Sequence, residues 1–150
     1  MNTKVHITSA WLRSSYAALR NLSSHGIDVD ISDSRRMGMS QLSKFRKKFV
    51  TYPSHYQDEE QFIMQIKDSS LKNQVDLILP SHNETEIIAK HKNFIGLDLC
   101  RLVPNYEHCA LFNNKSQSYD LAESIGVPVP KRFSYDSPDK LPKLLDGKGP

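Results

Sequence analysis

Lys115 is the residue of this chain whose position most suggests chemistry. It stands at the start of a predicted helix in LFNNKSQSYDLAESIGVPVP, residues 111–130. Either Asn113 or Asn114 can cap this helix, because an asparagine oxygen accepts hydrogen bonds from amides that the first turn leaves unpaired. The positive end of the helix dipole disfavours a lysine there unless an anion lies nearby. Lys115 therefore either contacts a phosphate or simply points into water.

A second set of candidates directly follows the predicted strands. In an open α/β sheet, the ligand crevice lies beyond the carboxyl ends of the strands. Glu84 follows the strand that ends at Pro80, so it is a candidate substrate contact. Alternatively, Glu84 is only a first-turn carboxylate of the next helix, behind a cap at Ser81 or Asn83. The other candidates for the wall of a substrate cleft are Ser9, Trp11, Asp33 and Arg35.

The turn after the first predicted strand, TSAWLRSS at residues 8–15, contains no glycine. A dinucleotide fingerprint needs glycine there so that the backbone can approach a pyrophosphate, and we therefore expect no NAD or FAD site. Trp11 in this turn either lines a substrate pocket or serves for packing. No GxSxG or Walker A sequence is present. Of the six histidines, only His82 with Glu86 has a zinc-like spacing, so no metal ligands are assigned.

Composition and charge are those of an ordinary globular chain. It has 150 residues and a formal net charge of +3, which suffices for a compact domain with a core. No apolar run approaches the roughly 20 residues that span a bilayer. The N-terminal sequence MNTKVHITSA shows no secretory signal, so we expect a cytoplasmic protein without a membrane partner. Cys100 and Cys109 do not form a CxxC pair and are expected to be free thiols.

The densest basic cluster is KFRKK at residues 44–48. A nucleic-acid site would need a wider basic face with exposed stacking aromatics. Phe45 and Phe49 are instead spaced to share the buried side of one helical turn. We interpret the cluster as the solvated face of a helix and expect no nucleic-acid partner.

Short apolar runs alternate with amphipathic segments, which is typical of a parallel sheet flanked by helices. The second predicted strand, IDVDIS, alternates apolar and polar residues and is expected to have one more solvated face. The predicted architecture is a doubly wound, Rossmann-like, mostly parallel sheet. Strands are predicted at residues 5–8, 27–32, 49–52, 75–79 and 99–103. Helices are predicted at residues 14–24, 84–92 and 114–125, with a further candidate at residues 41–49. Another helix is predicted to begin at Asp58, because Phe62, Ile63, Ile66 and Leu71 follow at helical spacing.

The composition changes after residue 104, where prolines become frequent. We predict one domain over residues 1–104 and the beginning of a second over residues 105–150. The second would contain the helix after Asn114, an extended segment at residues 130–135 and a short helical piece at residues 139–145.

Asn114 and Lys115, followed by a helix and then by the sequence GVPVP at residues 126–130, resemble the opening of the ATP-grasp fold. The preceding residues resemble the domain that comes before it in proteins similar to the large subunit of carbamoyl-phosphate synthase and in related carboxylate-amine ligases. The resemblance is specific only in the last third of the chain. It implies an α/β domain followed by the first elements of an ATP-grasp α+β subdomain, with Lys115 on an ATP phosphate.

The resemblance also implies a reaction. Such enzymes use ATP and Mg²⁺ to phosphorylate a carboxylate, and an amine or similar nucleophile then displaces the phosphate. The second phosphate-binding lysine, the glycine-rich flap and the magnesium ligands of that chemistry are not found in these 150 residues. We therefore expect an N-terminal fragment that is inactive alone, binds neither ATP nor Mg²⁺ tightly, and contributes a cleft wall and one phosphate contact. Whether the protein forms a homodimer stays open.

Two other classes of protein stay open as well. One is a non-catalytic Rossmann-like module for ligand binding or interaction, since fold does not fix function. The other is an oxidoreductase domain with a nicotinamide cofactor, against which the glycine-free first turn argues. The first is distinguished by whether the missing ATP-grasp elements follow Pro150, and the second by titration with NAD(P)H.

Overall fold

A computed structural model describes residues 2–132 of the chain. Within these residues, an all-parallel sheet of four strands has the order β3-β2-β1-β4, which confirms the expected α/β architecture. The strands are β1 (Lys4–Ile7), β2 (Asp28–Asp33), β3 (Lys48–Thr51) and β4 (Leu77–Leu79). The helices are α1 (Arg13–Ser24), α2 (Glu59–Lys72), α3 (Glu84–Lys90), α4 (Lys92–Ile95), α5 (Tyr106–Asn113) and α6 (Lys115–Ser124).

The chain divides into two compact units, residues 1–113 and 114–150. The sheet and helices α1 to α5 lie in the first unit, and α6 lies in the second. The predicted domain boundary after residue 104 stays a prediction. No helix among residues 2–132 is long and apolar enough to cross a membrane.

Helices cover both faces of the sheet. Successive side chains of a strand point to opposite faces. On one face, Ile7 of β1 packs in an apolar cluster with Leu19 of α1. On the other face, His6 of β1 contacts Ser70 of α2. A separate apolar cluster is built around Phe62 of α2 and includes residues from α3 and α4.

The prediction that β2 has one more solvated face is wrong, because α2 covers that face. Asp30 and Ser32 are both fully buried. The His6 ring links the sheet to the helix, with Nε2 2.7 Å from the Ser32 hydroxyl and Nδ1 3.0 Å from that of Ser70. The alternation in IDVDIS therefore marks a polar layer between sheet and helix and not a surface exposed to water.

The helix candidate at residues 41–49 is also wrong. Turns form at residues 39–42 and 44–45, and the amide of Gln41 donates to the carbonyl of Gly38. The chain joins the sheet at Lys47, whose amide donates to the Val29 carbonyl at 2.8 Å. Pairing with β2 takes the place of a helix, so the basic cluster is not a helix face. Phe45 nevertheless packs against the α1 side of the core.

The strand predicted at residues 99–103 is absent from the described sheet. One strand-like bond forms there, from the Ile78 amide to the Leu99 carbonyl at 2.8 Å. The segment otherwise makes turns that bury Cys100 and Val103 in the core. Burial of these two residues, and not strand pairing, accounts for part of the apolar run, since Leu102 is exposed. Leu71, expected on the buried side of α2, is 58% exposed.

The start of α6 agrees with the predicted cap. The Asn114 side chain accepts hydrogen bonds from the amides of Ser116 at 3.1 Å and Gln117 at 3.2 Å. The alternative cap, Asn113, is instead the last residue of α5. Gly126 ends the helix with φ of +78°. The extended and helical pieces predicted at residues 130–135 and 139–145 lie outside the described residues, apart from residues 130–132.

Candidate functional site

A cleft of about 600 Å³ opens at the carboxyl ends of the four strands. Its volume is in the range of small-molecule sites. All five residues predicted for a cleft wall line it: Ser9, Trp11, Asp33, Arg35 and Glu84. The structure thus brings together residues that are far apart in sequence, and their part in binding stays a prediction.

Ser9 ties the ends of three strands together. Its amide donates to the Tyr52 hydroxyl at 3.0 Å, and its own hydroxyl donates to the Ser81 carbonyl at 3.2 Å. These residues follow β1, β3 and β4 respectively. Ser9 holds a φ of +50°, which is uncommon for a residue with a side chain. The serine is therefore part of the framework of the cleft floor.

Asp33 fixes the turn after β1 against the end of β2. One carboxylate oxygen accepts from the Trp11 amide at 2.7 Å and the other from the Arg35 amide at 2.8 Å. The residue is only 4% exposed. Because both oxygens are used by the backbone, Asp33 positions the two loops that carry the cleft rim.

Removal of the Asp33 carboxylate should loosen this rim. We expect Asp33→Ala to lower the free energy of unfolding by about 1–2 kcal/mol, because two amides lose their acceptor. Asp33→Asn keeps one acceptor oxygen and should fall between the alanine variant and the parent. Urea unfolding of the three chains measures the order. Equal stabilities would mean that the two hydrogen bonds do not hold the loops.

Trp11 and Arg35 form the rim itself. The Arg35 guanidinium carbon lies 4.9 Å from the centre of the Trp11 ring, a cation–π arrangement. Trp11 is 50% exposed. On its backbone side, Gly38 approaches so closely that a Cβ there would lie 3.3 Å from the Trp11 Cα. The tryptophan is thus both packed and available at the cleft mouth.

Glu84 lies at the inner end of the cleft, where it is 6% exposed. The Tyr52 hydroxyl lies 2.7 and 2.8 Å from its two oxygens. Burial, and next the charge of Glu84, raise the pKa of Tyr52, so the phenol keeps its proton and donates it. Asn83 provides no side-chain cap for α3. Its side-chain amide donates instead to the Tyr56 hydroxyl at 2.6 Å.

Sequence reasoning missed Tyr52 and His55. Both follow β3 as the structure has it. The predicted strand at residues 49–52 included Tyr52 as its last residue, while His55 lies just beyond that strand, where the rule that selected the other candidates applies. The His55 Nδ1 atom lies 3.8 Å from a Glu84 oxygen. Its Nε2 atom is buried and has no hydrogen-bond partner among the described residues.

Lys115 belongs to the second unit. It is the first residue of α6, directly after the Asn114 cap, and it is exposed. The start of this ten-residue helix places a positive dipole end next to the lysine, while the amides of Ser116 and Gln117 are bonded to the Asn114 side chain. This combination is suited to a phosphate group.

Neither the thiols nor the acidic residues indicate further chemistry. Cys100 and Cys109 are free. Burial raises the pKa of the Cys100 thiol to about 11, which disfavours the reactive thiolate. Within residues 2–132, no three side chains of the metal-binding types cluster around a common point.

No protein-family model matches the chain, and no curated protein matches its sequence. Several solved structures are similar to the structure of this chain. The L-amino acid ligase from Bacillus licheniformis is 13% identical with a TM-score of 0.67, over 97% of this chain and 42% of that one. The biotin carboxylase subunit of pyruvate carboxylase is 18% identical with a TM-score of 0.58, over 99% of this chain and 34% of that one.

A third similar structure is the biotin carboxylase domain dimer of Hydrogenobacter thermophilus 2-oxoglutarate carboxylase, in complex with MgADP and bicarbonate. It is 16% identical with a TM-score of 0.55, over 99% of this chain and 33% of that one. These structures are ATP-grasp proteins. The likeness confirms at the level of the fold the resemblance drawn from the sequence, and the chain spans less than half the length of each.

Proposed function

We propose that this chain is the N-terminal part of an ATP-dependent ligase of the ATP-grasp class, similar to carbamoyl-phosphate synthase and the carboxylate-amine ligases. The whole protein would phosphorylate a carboxylate with ATP and pass the acyl group to an amine or similar nucleophile. The observation that carries the proposal is the fold shared with such proteins along nearly the whole chain. The cleft at the strand ends adds support.

In this proposal, the cleft forms one wall of the substrate site. Asp33 positions the rim, Ser9 and Tyr52 build the floor, and Trp11 provides an exposed apolar surface for the substrate. The exposed Arg35 guanidinium supplies a positive charge, which complements a carboxylate substrate.

ATP would meet this chain at Lys115. The lysine and the start of α6 would hold one phosphate group, and the lysine charge would offset the charge that develops during phosphoryl transfer. The Hydrogenobacter thermophilus structure contains MgADP. We assign no magnesium ligand to residues 2–132, since they contain no suitable cluster. Magnesium, when bound, would neutralise the phosphates from ligands elsewhere in the protein.

The setting of the activity is also a proposal. Free Cys100 and Cys109 suit the reducing cytoplasm. A homodimer is proposed because one of the similar structures is described as a dimer.

The test is ADP release by the protein expressed from its complete reading frame, with carboxylates and amines supplied singly and in pairs. We expect ADP to form rapidly only when a matched pair is present. A protein that consumes no ATP with any pair would instead fit a non-catalytic Rossmann-like module. Saturable binding of NAD(P)H would favour the oxidoreductase reading.

A further inference from the structure

A second pocket, of about 330 Å³, lies at the amino ends of the strands, on the opposite edge of the sheet from the cleft. Asp28 on its wall begins β2, and Lys47 directly precedes β3. Lys44 and Arg46 of the same basic cluster also line it. Its volume is at the lower end of the range of small-molecule sites. The proposed ligase function makes no use of this pocket.

Only one of the four charged residues on the wall of this pocket is acidic. That residue, Asp28, forms an ion pair with Lys47, whose Nζ atom lies 3.2 Å from a carboxylate oxygen. Lys44 and Arg46 have no carboxylate within ion-pair distance among residues 2–132. The pocket therefore carries two positive charges without a counter-charge.

Phe45, which also lines the pocket, brings a third cation close to these two. The Lys44 Nζ atom lies 5.6 Å from the centre of the Phe45 ring, and the guanidinium carbon of Arg20 lies 5.8 Å from it. In the part of the chain that the structure describes, Arg20 forms no ion pair either. Like charges at this range repel one another, and a bound anion would relieve that repulsion.

Arg46 is held in position before any ligand arrives. Its Nε atom donates to the Gln41 carbonyl at 2.6 Å. Gln41 is 6% exposed, and its side-chain amide donates to the Arg35 carbonyl, so the acceptor is itself fixed. The two terminal nitrogens of Arg46 make no hydrogen bond to residues 2–132. Their planar fork matches two oxygens of a phosphate group.

We propose that this pocket binds the phosphate group of a phosphate monoester, with Arg46 and Lys44 as its charged contacts. The second pKa of such a group is about 6, so it is mainly a dianion at neutral pH. Its two negative charges match the two cations that have no counter-charge. Ile27 and Phe45 on the same wall offer apolar contact to the carbon skeleton of the ester.

The test titrates glycerol 3-phosphate into the 150-residue chain at constant ionic strength and follows the backbone amide signals by NMR. The signals of residues 44–47 report this pocket, and those of Ser116 and Gln117 report the start of α6 separately. We expect the signals of residues 44–47 to shift saturably with a Kd of roughly 1 mM. Dimethyl phosphate carries a single negative charge and should bind at least about tenfold more weakly.

Matched variants test the contacts. Arg46→Ala should weaken binding of glycerol 3-phosphate at least about tenfold, and Arg46→Lys should weaken it less because the charge is kept. Arg101→Ala is the control, since the Arg101 Nε atom also donates to a backbone carbonyl, that of Asp98 at 3.1 Å, but outside the pocket. It should bind like the parent. Thermal unfolding checks that each variant is folded.

Lys44→Ala keeps the test decisive if Arg46→Ala does not fold. The Lys44 side chain is exposed and makes no hydrogen bond within residues 2–132, so its removal should leave the fold intact. Loss of its charge should still weaken binding of glycerol 3-phosphate. Unchanged binding in this variant would contradict the assignment of Lys44.

A soluble ester and the headgroup of phosphatidic acid present the same phosphate monoester. Sedimentation with phosphatidylcholine vesicles, with and without phosphatidic acid, separates these two sources. Sedimentation that requires both phosphatidic acid and Arg46 assigns the pocket to a lipid surface. Saturable shifts with glycerol 3-phosphate but no sedimentation assign it to a soluble molecule.

The proposal is overturned if glycerol 3-phosphate leaves the signals of residues 44–47 in place, if dimethyl phosphate shifts them equally, or if binding survives Arg46→Ala in a folded chain. None of these results depends on ATP turnover. Failure of phosphate binding here would leave the ligase proposal in place. Absence of ADP release by the whole protein would in turn leave this pocket as a phosphate site.

Discussion

Lys115→Ala in the complete protein is expected to lower kcat/KM for ATP by about 100- to 1000-fold. That loss corresponds to roughly 3–4 kcal/mol of transition-state stabilisation, the range found when one preorganised donor to a developing charge is removed. The physical reason is the position of Lys115 at the start of α6, where the helix dipole alone would leave the phosphate charge undercompensated. Steady-state kinetics with varied ATP measure the effect.

Two variants make this result specific. Lys115→Arg keeps the charge and should retain part of the activity. Lys72→Ala removes an exposed lysine from the last turn of α2 and should change kcat/KM by less than about twofold. Unchanged kinetics in Lys115→Ala would remove this lysine from the ATP site.

A second large effect is expected from acid. Burial lowers the pKa of His6 from 6.5 to about 4, and the residue is 1% exposed. The folded state therefore disfavours the proton that the unfolded chain accepts. The contribution of neutral His6 to the free energy of unfolding is therefore fully present above pH 6.5 and is lost as the pH falls towards 4. We expect His6 to account for a loss of roughly 3 kcal/mol in unfolding free energy over this window.

Asp30 works in the opposite direction in the same polar layer. It lies opposite His6 in β2, and burial raises its pKa, while Lys4 and Lys48 partly counter the rise. Protonation of Asp30 therefore favours the folded state as the pH falls, so the net loss is smaller than the His6 contribution alone. The His6 share must be isolated by substitution.

The measurement is urea unfolding at pH 7 and pH 4.5 for the parent, His6→Gln and the control His108→Gln. Glutamine does not titrate, so His6→Gln should be less stable at pH 7 and lose less stability on acidification. His108 is exposed in α5, and its replacement should leave the parent's pH dependence in place. A His6→Gln chain with the parent's full pH dependence would show that another group causes the acid loss.

Local signals in the sequence predicted the features that depend on neighbouring residues. The Asn114 cap is observed because it requires only its own helix. The helix predicted from Asp58 is also observed, with Asp58 as its N-cap. The strand ends were placed well enough to collect Ser9, Asp33 and Glu84 in one cleft. This success follows from parallel topology, which puts all strand ends on one edge of the sheet.

Features that depend on distant partners were not predictable in this way. The apolar run at residues 99–103 is typical of a strand, but it forms turns in which Cys100 and Val103 are buried by packing, and the described residues show one strand-like bond there. Tyr52 and Glu84 are 32 residues apart and meet only because β3 and β4 end at the same edge. The His55 Nε2 atom has no hydrogen-bond partner among residues 2–132, which is a property of its three-dimensional surroundings that no sequence spacing encodes.

The most direct test of the ligase proposal is the fate of oxygen in the carboxylate substrate. The complete protein is incubated with ATP, an amine and an ¹⁸O-labelled carboxylate that supports nucleotide turnover. Attack of the carboxylate on the γ-phosphorus forms an acyl phosphate, and displacement by the amine then leaves one labelled oxygen in orthophosphate alongside ADP. We expect that label in orthophosphate. Label in AMP with release of pyrophosphate, or orthophosphate without label, would contradict the acyl-phosphate ligase proposed here.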